Sequence, residues 1–101
     1  PAPGGPGVHW FAPEGHAMAP ADWDGPPALA VRLEDGDAWL LLVNAGGAPA
    51  SFLLPEGRWT LRLASDDPAA APRALAAREE LPAASLWVAH QERQPQEAVL
   101  R

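Results

Sequence analysis

Residues 38–43 form an apolar run that sharply limits the folds open to this chain. The run reads AWLLLV, with no polar residue on either face, and it stands between Asp37 and Asn44. Six residues are too few for a globular helix, so the run favours a strand that is covered on both sides. Such a strand requires one layer of structure above it and another below it.

Turn signals on both sides of this run predict an antiparallel meander over residues 28–54. Asp35-Gly36, just before the run, is the kind of pair that a tight type I′ turn prefers, because both central positions need positive φ. After the run, glycines and a proline within residues 46–49 predict a second turn. Residues 50–54 then return as a third strand, which Pro55 ends.

Alternation of apolar and polar side chains predicts which strand faces lie in the core. Leu29, Val31 and Leu33 alternate with smaller or charged residues, so we expect their face to be buried and the opposite face to be wet. Residues 59–63 show the same period, with Trp59, Leu61 and Leu63 on the apolar side.

Further short strands are predicted outside the meander. They cover residues 8–11, a weakly indicated stretch at 79–81, and residues 85–90. Short strands separated by Gly/Pro turns are typical of an all-β fold, and we predict a single antiparallel β-sandwich of about six to eight strands. We place the sandwich at residues 8–90, a linker at 1–7 and a polar tail at 91–101.

Length and composition exclude several classes of function. A chain of 101 residues supports one domain and cannot contain a barrel enzyme of about 250 residues. The net charge of −6 and the lack of a basic stripe argue against nucleic-acid binding. There is no cysteine, hence no disulfide or thiolate site, and no apolar run is long enough to span a membrane. We therefore expect a cytoplasmic protein without nucleic-acid or membrane partners.

The acidic, histidine and serine residues do not form a convincing reactive site. The three histidines are far apart in sequence and lack the close spacing of metal ligands. Paired carboxylates such as Asp22 and Asp24 are used in glycoside hydrolysis, but aspartates also favour turns, and we prefer the turn. Asp66-Asp67 lacks the spaced oxygen donors of a calcium loop, and Ser85 has no nucleophile motif around it. We expect no catalytic residue, no metal and no cofactor.

The five tryptophans are the unusual feature of a sequence that has no tyrosine. An exposed indole stacks well on a sugar face, whereas a buried one hides about 150–250 Å² of surface in the core. Trp39 and Trp59 follow the apolar alternation of their strands, and we expect both in the core. Trp10, Trp23 and Trp87 stay open as docking or glucan-contact residues.

Several segments resemble the part of bacterial glycogen debranching enzymes that follows the catalytic barrel. These enzymes are isoamylase-type members of the α-amylase superfamily. The resemblance covers nearly the whole chain apart from its two ends. It rests on the order of these segments: WFAPEG at 10–15, Met18, DW at 22–23, LLVN at 41–44, FLLP at 52–55, Trp59 and LPAASL at 81–86.

One departure is Ala64-Ser65, where family members tend to carry Asp-Thr, and the segment between the first two meander strands is shorter than usual. A pullulanase-like or trehalose-releasing relative of the superfamily therefore stays open. The family's catalytic carboxylates belong to its barrel, and no position here matches them.

The resemblance implies a non-catalytic C-terminal sandwich that packs on the barrel of the same parent chain. That parent hydrolyses α-1,6-glucosidic branches of glycogen. The alternative is a carbohydrate-binding module that contacts α-glucan through exposed tryptophan. A fragment cut from its barrel is also expected to dimerise through the uncovered surface. An unrelated immunoglobulin-like interaction domain is a third, weaker alternative.

Overall fold

The computed structural model describes residues 7–21, 27–35 and 37–91, and these residues form two layers of antiparallel strands. The larger layer has six strands in the order β1-β2-β3-β8-β5-β6, and the smaller pairs β4 with β7. The strands are β1 Val8–Phe11, β2 Ala28–Asp35, β3 Asp37–Asn44, β4 Ala50–Leu53, β5 Thr60–Ala64, β6 Arg73–Ala74, β7 Arg78–Leu81 and β8 Ser85–Gln91.

This arrangement confirms the all-β sandwich, with eight strands in the described part of the chain. The extended stretch predicted at 79–81 is part of β7. The predicted linker at 1–7 and tail at 91–101 fall almost entirely outside the described residues, as does Gly36 of the predicted β2–β3 turn. None of the helical segments described here is long or apolar enough to cross a membrane.

The core lies between the two layers. Trp59 is 2% exposed and its indole N–H donates to the carbonyl oxygen of Pro55 at 3.0 Å, so the prediction for this residue is confirmed. The guanidinium of Arg32 lies 5.9 Å from the centre of the same ring. The buried apolar cluster consists of Ala28, Ala30, Ala38, Leu40, Leu42, Phe52, Leu54, Trp59, Leu61, Ala64, Leu81, Trp87 and Ala89.

The predicted meander is wrong in its third strand. β2 and β3 pair as expected, but β4 crosses to the smaller sheet and pairs with β7, while β8 takes the place beside β3. The buried side chain of Asn44 holds this crossing in place. Its amide nitrogen lies 2.9 Å from the Ala48 carbonyl, 3.2 Å from that of Leu81 and 3.0 Å from that of Pro82. The end of β3 is thereby tied to the end of β7 in the other layer.

The predicted faces of β2 are reversed. Ala28 and Ala30 are in the core, at 6% and 3% exposure, whereas Leu29 and Leu33 are only half-buried; Val31, on the same side as these leucines, is buried at 9% exposure. The register explains the difference, because Ala30 lies directly opposite Leu42, which faces the smaller sheet. The larger side chains of β2 therefore point away from the smaller sheet.

A bulge also moves Leu63 out of the core. β5 and β8 pair regularly at Leu61 and Ala89, but the register shifts before the next pair, Leu63 and Val88. A bulge adds one residue to a strand and so turns the following side chains to the other face. Leu61 is fully buried and Leu63 is 50% exposed, which corrects the prediction that both lie in the core.

Candidate functional site

The side of the large sheet that faces away from the core is itself apolar. Side chains paired directly across neighbouring strands lie on the same face of a sheet. The registers of β1, β2, β3, β8 and β5 therefore place one continuous set of residues on this side, which we call the outer face. The outer face consists of Val8, Trp10, Leu29, Val31, Leu33, Asp37, Trp39, Leu41, Val43, Thr60, Leu63, Leu86, Val88 and His90.

No described element forms a second layer over the outer face, and most of its side chains are half-buried or exposed. With strands about 4.8 Å apart and same-face residues about 7 Å apart along each strand, the apolar part spans roughly 370 Å² of sheet. The largest apolar patch on an ordinary monomer is about 300–600 Å² and is often functional. The sequence predicts a cover on both sides of β3, and among the described residues a second layer of strands covers one of its faces.

Trp39 projects from this face and is 37% exposed, so the prediction that it lies in the core is wrong. It is directly opposite His90 in the register, and the two ring centroids are 4.4 Å apart with the planes tilted by 44°. The imidazole Nε2 of His90 lies 3.2 Å from the carboxylate Oδ2 of Asp37. Trp39, His90 and Asp37 thus form one cluster at one end of the outer face.

The structure separates the three tryptophans that were candidates for docking or glucan contact. Trp10 lies on the outer face opposite Val31 and is half-buried. Trp87 lies on the inner side of β8 and is only 6% exposed, so its ring is removed from the surface. Trp23 lies outside the described residues.

The contacts of Trp87 account for its burial in the core. Its indole N–H donates to Oδ1 of Asp66 at 2.7 Å, and the guanidinium of Arg73 lies 5.4 Å from the ring centre. Arg73 also approaches the carboxylate of Glu79 at 3.4 Å, and that carboxylate accepts a 2.6 Å hydrogen bond from the backbone N–H of Ala76. These charged groups stabilise the rim of the core.

The aspartates and the serine weighed as reactive groups in the sequence make local structural contacts where the structure describes them. Asp67 accepts from the backbone N–H of Ala69 at 3.1 Å and caps a short 3-10 turn. The hydroxyl of Ser85 is buried and donates to the Pro82 carbonyl at 2.6 Å. Asp22 and Asp24 lie outside the described residues. Within residues 7–21, 27–35 and 37–91, no three His, Asp or Glu side chains come together in a way that could hold a metal ion.

The sequence indicated two apolar faces on β3, but it did not indicate that Trp39 lies on the face that the smaller sheet leaves open. Both β2 and β3 carry large apolar side chains on the same outer side, while β2 presents mainly alanines to the core. An apolar set on each face of a two-strand pair indicates that two layers are needed. The described residues supply only one of them.

The fold and this surface define a two-layer β-sandwich domain with one open apolar sheet face. Residues 3–77 match the family described as glycogen debranching enzyme C-terminal domain. The match covers most of the chain, and the chain belongs to this family.

Two curated proteins are similar to this chain, and both carry the name glycogen debranching enzyme. The protein of Dickeya chrysanthemi is 42% identical over 53 residues, which are 52% of this chain and 8% of that protein. The protein of Pectobacterium atrosepticum is 40% identical over 53 residues, again 52% of this chain and 8% of that protein. The matched segment therefore accounts for less than a tenth of each relative.

Proposed function

We propose that this domain is a non-catalytic module of a longer glycogen debranching enzyme, in which it packs against the catalytic portion and stabilises it. The longer chain is proposed to be isoamylase-type and to hydrolyse α-1,6-glucosidic branches. Family membership and the small share of each relative that is matched support a parent chain with much more besides this domain. The proposal includes a cytoplasmic location, in keeping with a sequence that has no cysteine to form disulfides.

The open outer face is the observation that carries this proposal. Interfaces between domains of one chain bury about 600–1,500 Å² in total, and an apolar patch of roughly 370 Å² is within the range for one side of such an interface. Covering even 200 Å² of apolar surface contributes about 5 kcal/mol before the cost of ordering side chains. A catalytic portion joined to the domain in one chain meets this face at high effective concentration.

Glucan binding is the second candidate, and exposed Trp39 is the observation that favours it. The rest of the outer face argues for the docking role. A sugar ring stacked on the indole needs polar side chains around it to bond the hydroxyl groups, and near Trp39 these are His90 and Asp37. The remainder of the outer face is mainly aliphatic, which suits a protein surface better than a glucan.

The acidic side chains of the described residues support a non-catalytic role. Glycoside hydrolysis needs two carboxyl groups about 5–9.5 Å apart that face one cleft. Asp66 is bonded to Trp87, Glu79 to Arg73, and Glu34 lies 2.9 Å from a guanidinium nitrogen of Arg32. Each of these carboxylates stabilises the sandwich itself.

A charge placed at the centre of the outer face tests docking. Val88 is half-buried on this face, and in the longer natural polypeptide we expect Val88→Lys to lower the melting temperature by several degrees and to reduce debranching activity. The matched control is Ala77→Lys, which adds the same charge at an exposed residue beside the smaller sheet. Equal effects of the two variants, or none at all, would contradict the proposal.

Affinity electrophoresis through glycogen separates the two candidates. A docking module migrates as it does in a gel without glycogen, whereas a glucan-binding module is retarded. Retardation that disappears in Trp39→Ala would establish the glucan-binding role in place of docking. Size-exclusion chromatography across a range of concentrations shows whether a second copy covers the same face.

A further inference from the structure

We infer that Trp39 is the anchor of the docking face and inserts into an apolar recess of the catalytic portion, where a hydrogen-bond acceptor receives its indole N–H. This inference rests on the proposed function and specifies where on the outer face the binding energy is concentrated. The occupant is the catalytic portion of the same longer polypeptide, because the domain family forms one end of debranching enzymes many times longer than the matched segment.

The position of Trp39 in the sheet supports this role. It lies near the start of β3, a central strand with β2 on one side and β8 on the other, so the indole does not project from an edge strand. Binding hot spots are enriched in tryptophan. Of the other tryptophans of the described chain, Trp59 and Trp87 are buried in the core and Trp10 is half-buried on edge strand β1.

The indole nitrogens differ in a way that indicates the chemistry of the recess. Trp59 donates its N–H to the Pro55 carbonyl and Trp87 donates to the carboxylate of Asp66. Within residues 7–21, 27–35 and 37–91, Trp39 has no such acceptor for its indole N–H. A buried indole N–H normally has a hydrogen-bond partner. A recess that covers Trp39 must therefore present a backbone carbonyl or a carboxylate beside its apolar wall.

His90 holds the indole ready for insertion. Its ring packs against Trp39, its side chain is only 14% exposed, and its Nε2 lies 3.2 Å from Asp37. A side chain that is already ordered before binding loses less conformational freedom when the interface forms. Leu33 and Leu41 lie beside it on the same face, and in the docked state they would surround the anchor and exclude water from it.

Thiol labelling measures docking directly, since these 101 residues contain no cysteine. Val43→Cys places a thiol of nearly the same size on the outer face, away from Trp39. Its alkylation is followed by mass spectrometry of the labelled peptide, in the 101-residue chain and in the longer natural polypeptide. The ratio of the two rates gives the fraction of time for which the face is open.

With Val43→Cys as reporter, we expect Trp39→Ala to raise the labelling rate in the longer polypeptide at least about tenfold, towards the rate of the 101-residue chain. Leu63→Ala, a more exposed apolar residue near the rim of the same face, is the matched control and is expected to raise it less than about threefold. Trp39→Phe keeps an aromatic ring without the N–H and is expected to fall between them. Denaturant unfolding of each 101-residue variant checks that it is folded.

The outcomes distinguish the two proposals. If the reporter thiol is labelled equally fast in both chains, the face is not docked and the proposed function fails together with the anchor. If it is protected but Trp39→Ala and Leu63→Ala act alike, docking stands and the anchor is wrong. If the reporter thiol is labelled as slowly in Trp39→Phe as in the chain with Trp39, the proposed hydrogen-bond acceptor in the recess is wrong. Protection that appears in the 101-residue chain and grows with its concentration would assign the face to a second copy instead.

Discussion

The imidazole of His90 lies against the indole of Trp39, with ring centroids 4.4 Å apart, on the side of the large sheet that faces away from the core. An aromatic pair of this kind contributes about 0.5–1.5 kcal/mol beyond its buried area. The pair stabilises a surface and not the core. Trp39 therefore differs from Trp59, although the sequence predicts that both tryptophans lie in the core.

Trp59→Ala and Trp39→Ala are expected to differ in their effect on the 101-residue chain. Trp59 is 2% exposed and hydrogen-bonded, so its removal should lower the free energy of unfolding by about 3–5 kcal/mol. Trp39 is 37% exposed and should cost only about 1–2 kcal/mol. Urea midpoints of both variants measure the difference. Equal losses would mean that Trp39 is covered within the domain.

Asn44 is expected to be among the most sensitive polar residues. It is 2% exposed, its amide nitrogen lies within 3.2 Å of three carbonyls, and its Oδ1 accepts from the backbone N–H of Gly46 at 3.0 Å. Asn44→Ala leaves these buried groups unpaired and should cost about 2–4 kcal/mol. Asn44→Asp removes the donor and should lower the free energy of unfolding at least as much at neutral pH. Ser85→Ala loses one bond to the same loop and should lower it by about 1 kcal/mol. An Asn44→Asp chain with the parent's thermal midpoint would contradict this account.

Two glycines offer a matched comparison of backbone strain. Gly57 has φ +128°, and an added Cβ would collide with the amide of Gln91. Gly57→Ala should therefore lower the free energy of unfolding by at least about 1 kcal/mol. At Gly47 an added Cβ meets nothing within 4 Å, and Gly47→Ala should be neutral or slightly stabilising. The prediction is refuted if thermal denaturation ranks the two variants in the opposite order.

The 101-residue chain is expected to release no reducing ends from glycogen or pullulan at any pH. Asp66, Glu79 and Glu34 are each bonded to another side chain of the sandwich, which does not fit a pair of carboxyl groups kept for hydrolysis. A reducing-sugar assay on purified chain measures this, with buffer and heat-treated chain as controls. Turnover that survives purification and disappears in Asp22→Asn would overturn the non-catalytic role.

Local patterns predicted the elements of this fold well. Alternation and turn residues located β1, β2, β3, β5 and β8, and Trp59 was correctly placed in the core. These successes have one cause, because the period of two and the turn preferences depend only on neighbouring residues. The departure of β4 to the other sheet depends on the side chain of Asn44 and on carbonyls more than thirty residues away, as at Leu81 and Pro82. Local patterns contain no such information.

The candidate site could not be predicted from the same patterns. Period two shows that Leu29, Val31 and Leu33 share one face, but it does not show which layer covers that face. The alternation within β2 therefore predicts that its larger residues face the core. The smaller sheet instead covers the alanines of β2, and Trp39 was misplaced for the same reason.

The position of β8 has a consequence for synthesis of the chain on the ribosome. β8 is last among the described strands in sequence, yet it lies in the middle of the large sheet between β3 and β5. A nascent chain that ends before residue 85 therefore holds β3 and β5 with bare edges, and hydrogen bonds to both form only when β8 emerges. Contacts between residues so far apart in sequence form slowly, and the large sheet is therefore completed late in folding. Premature termination even a few residues short of β8 should thus yield a sticky, protease-sensitive product and not a smaller version of the same domain.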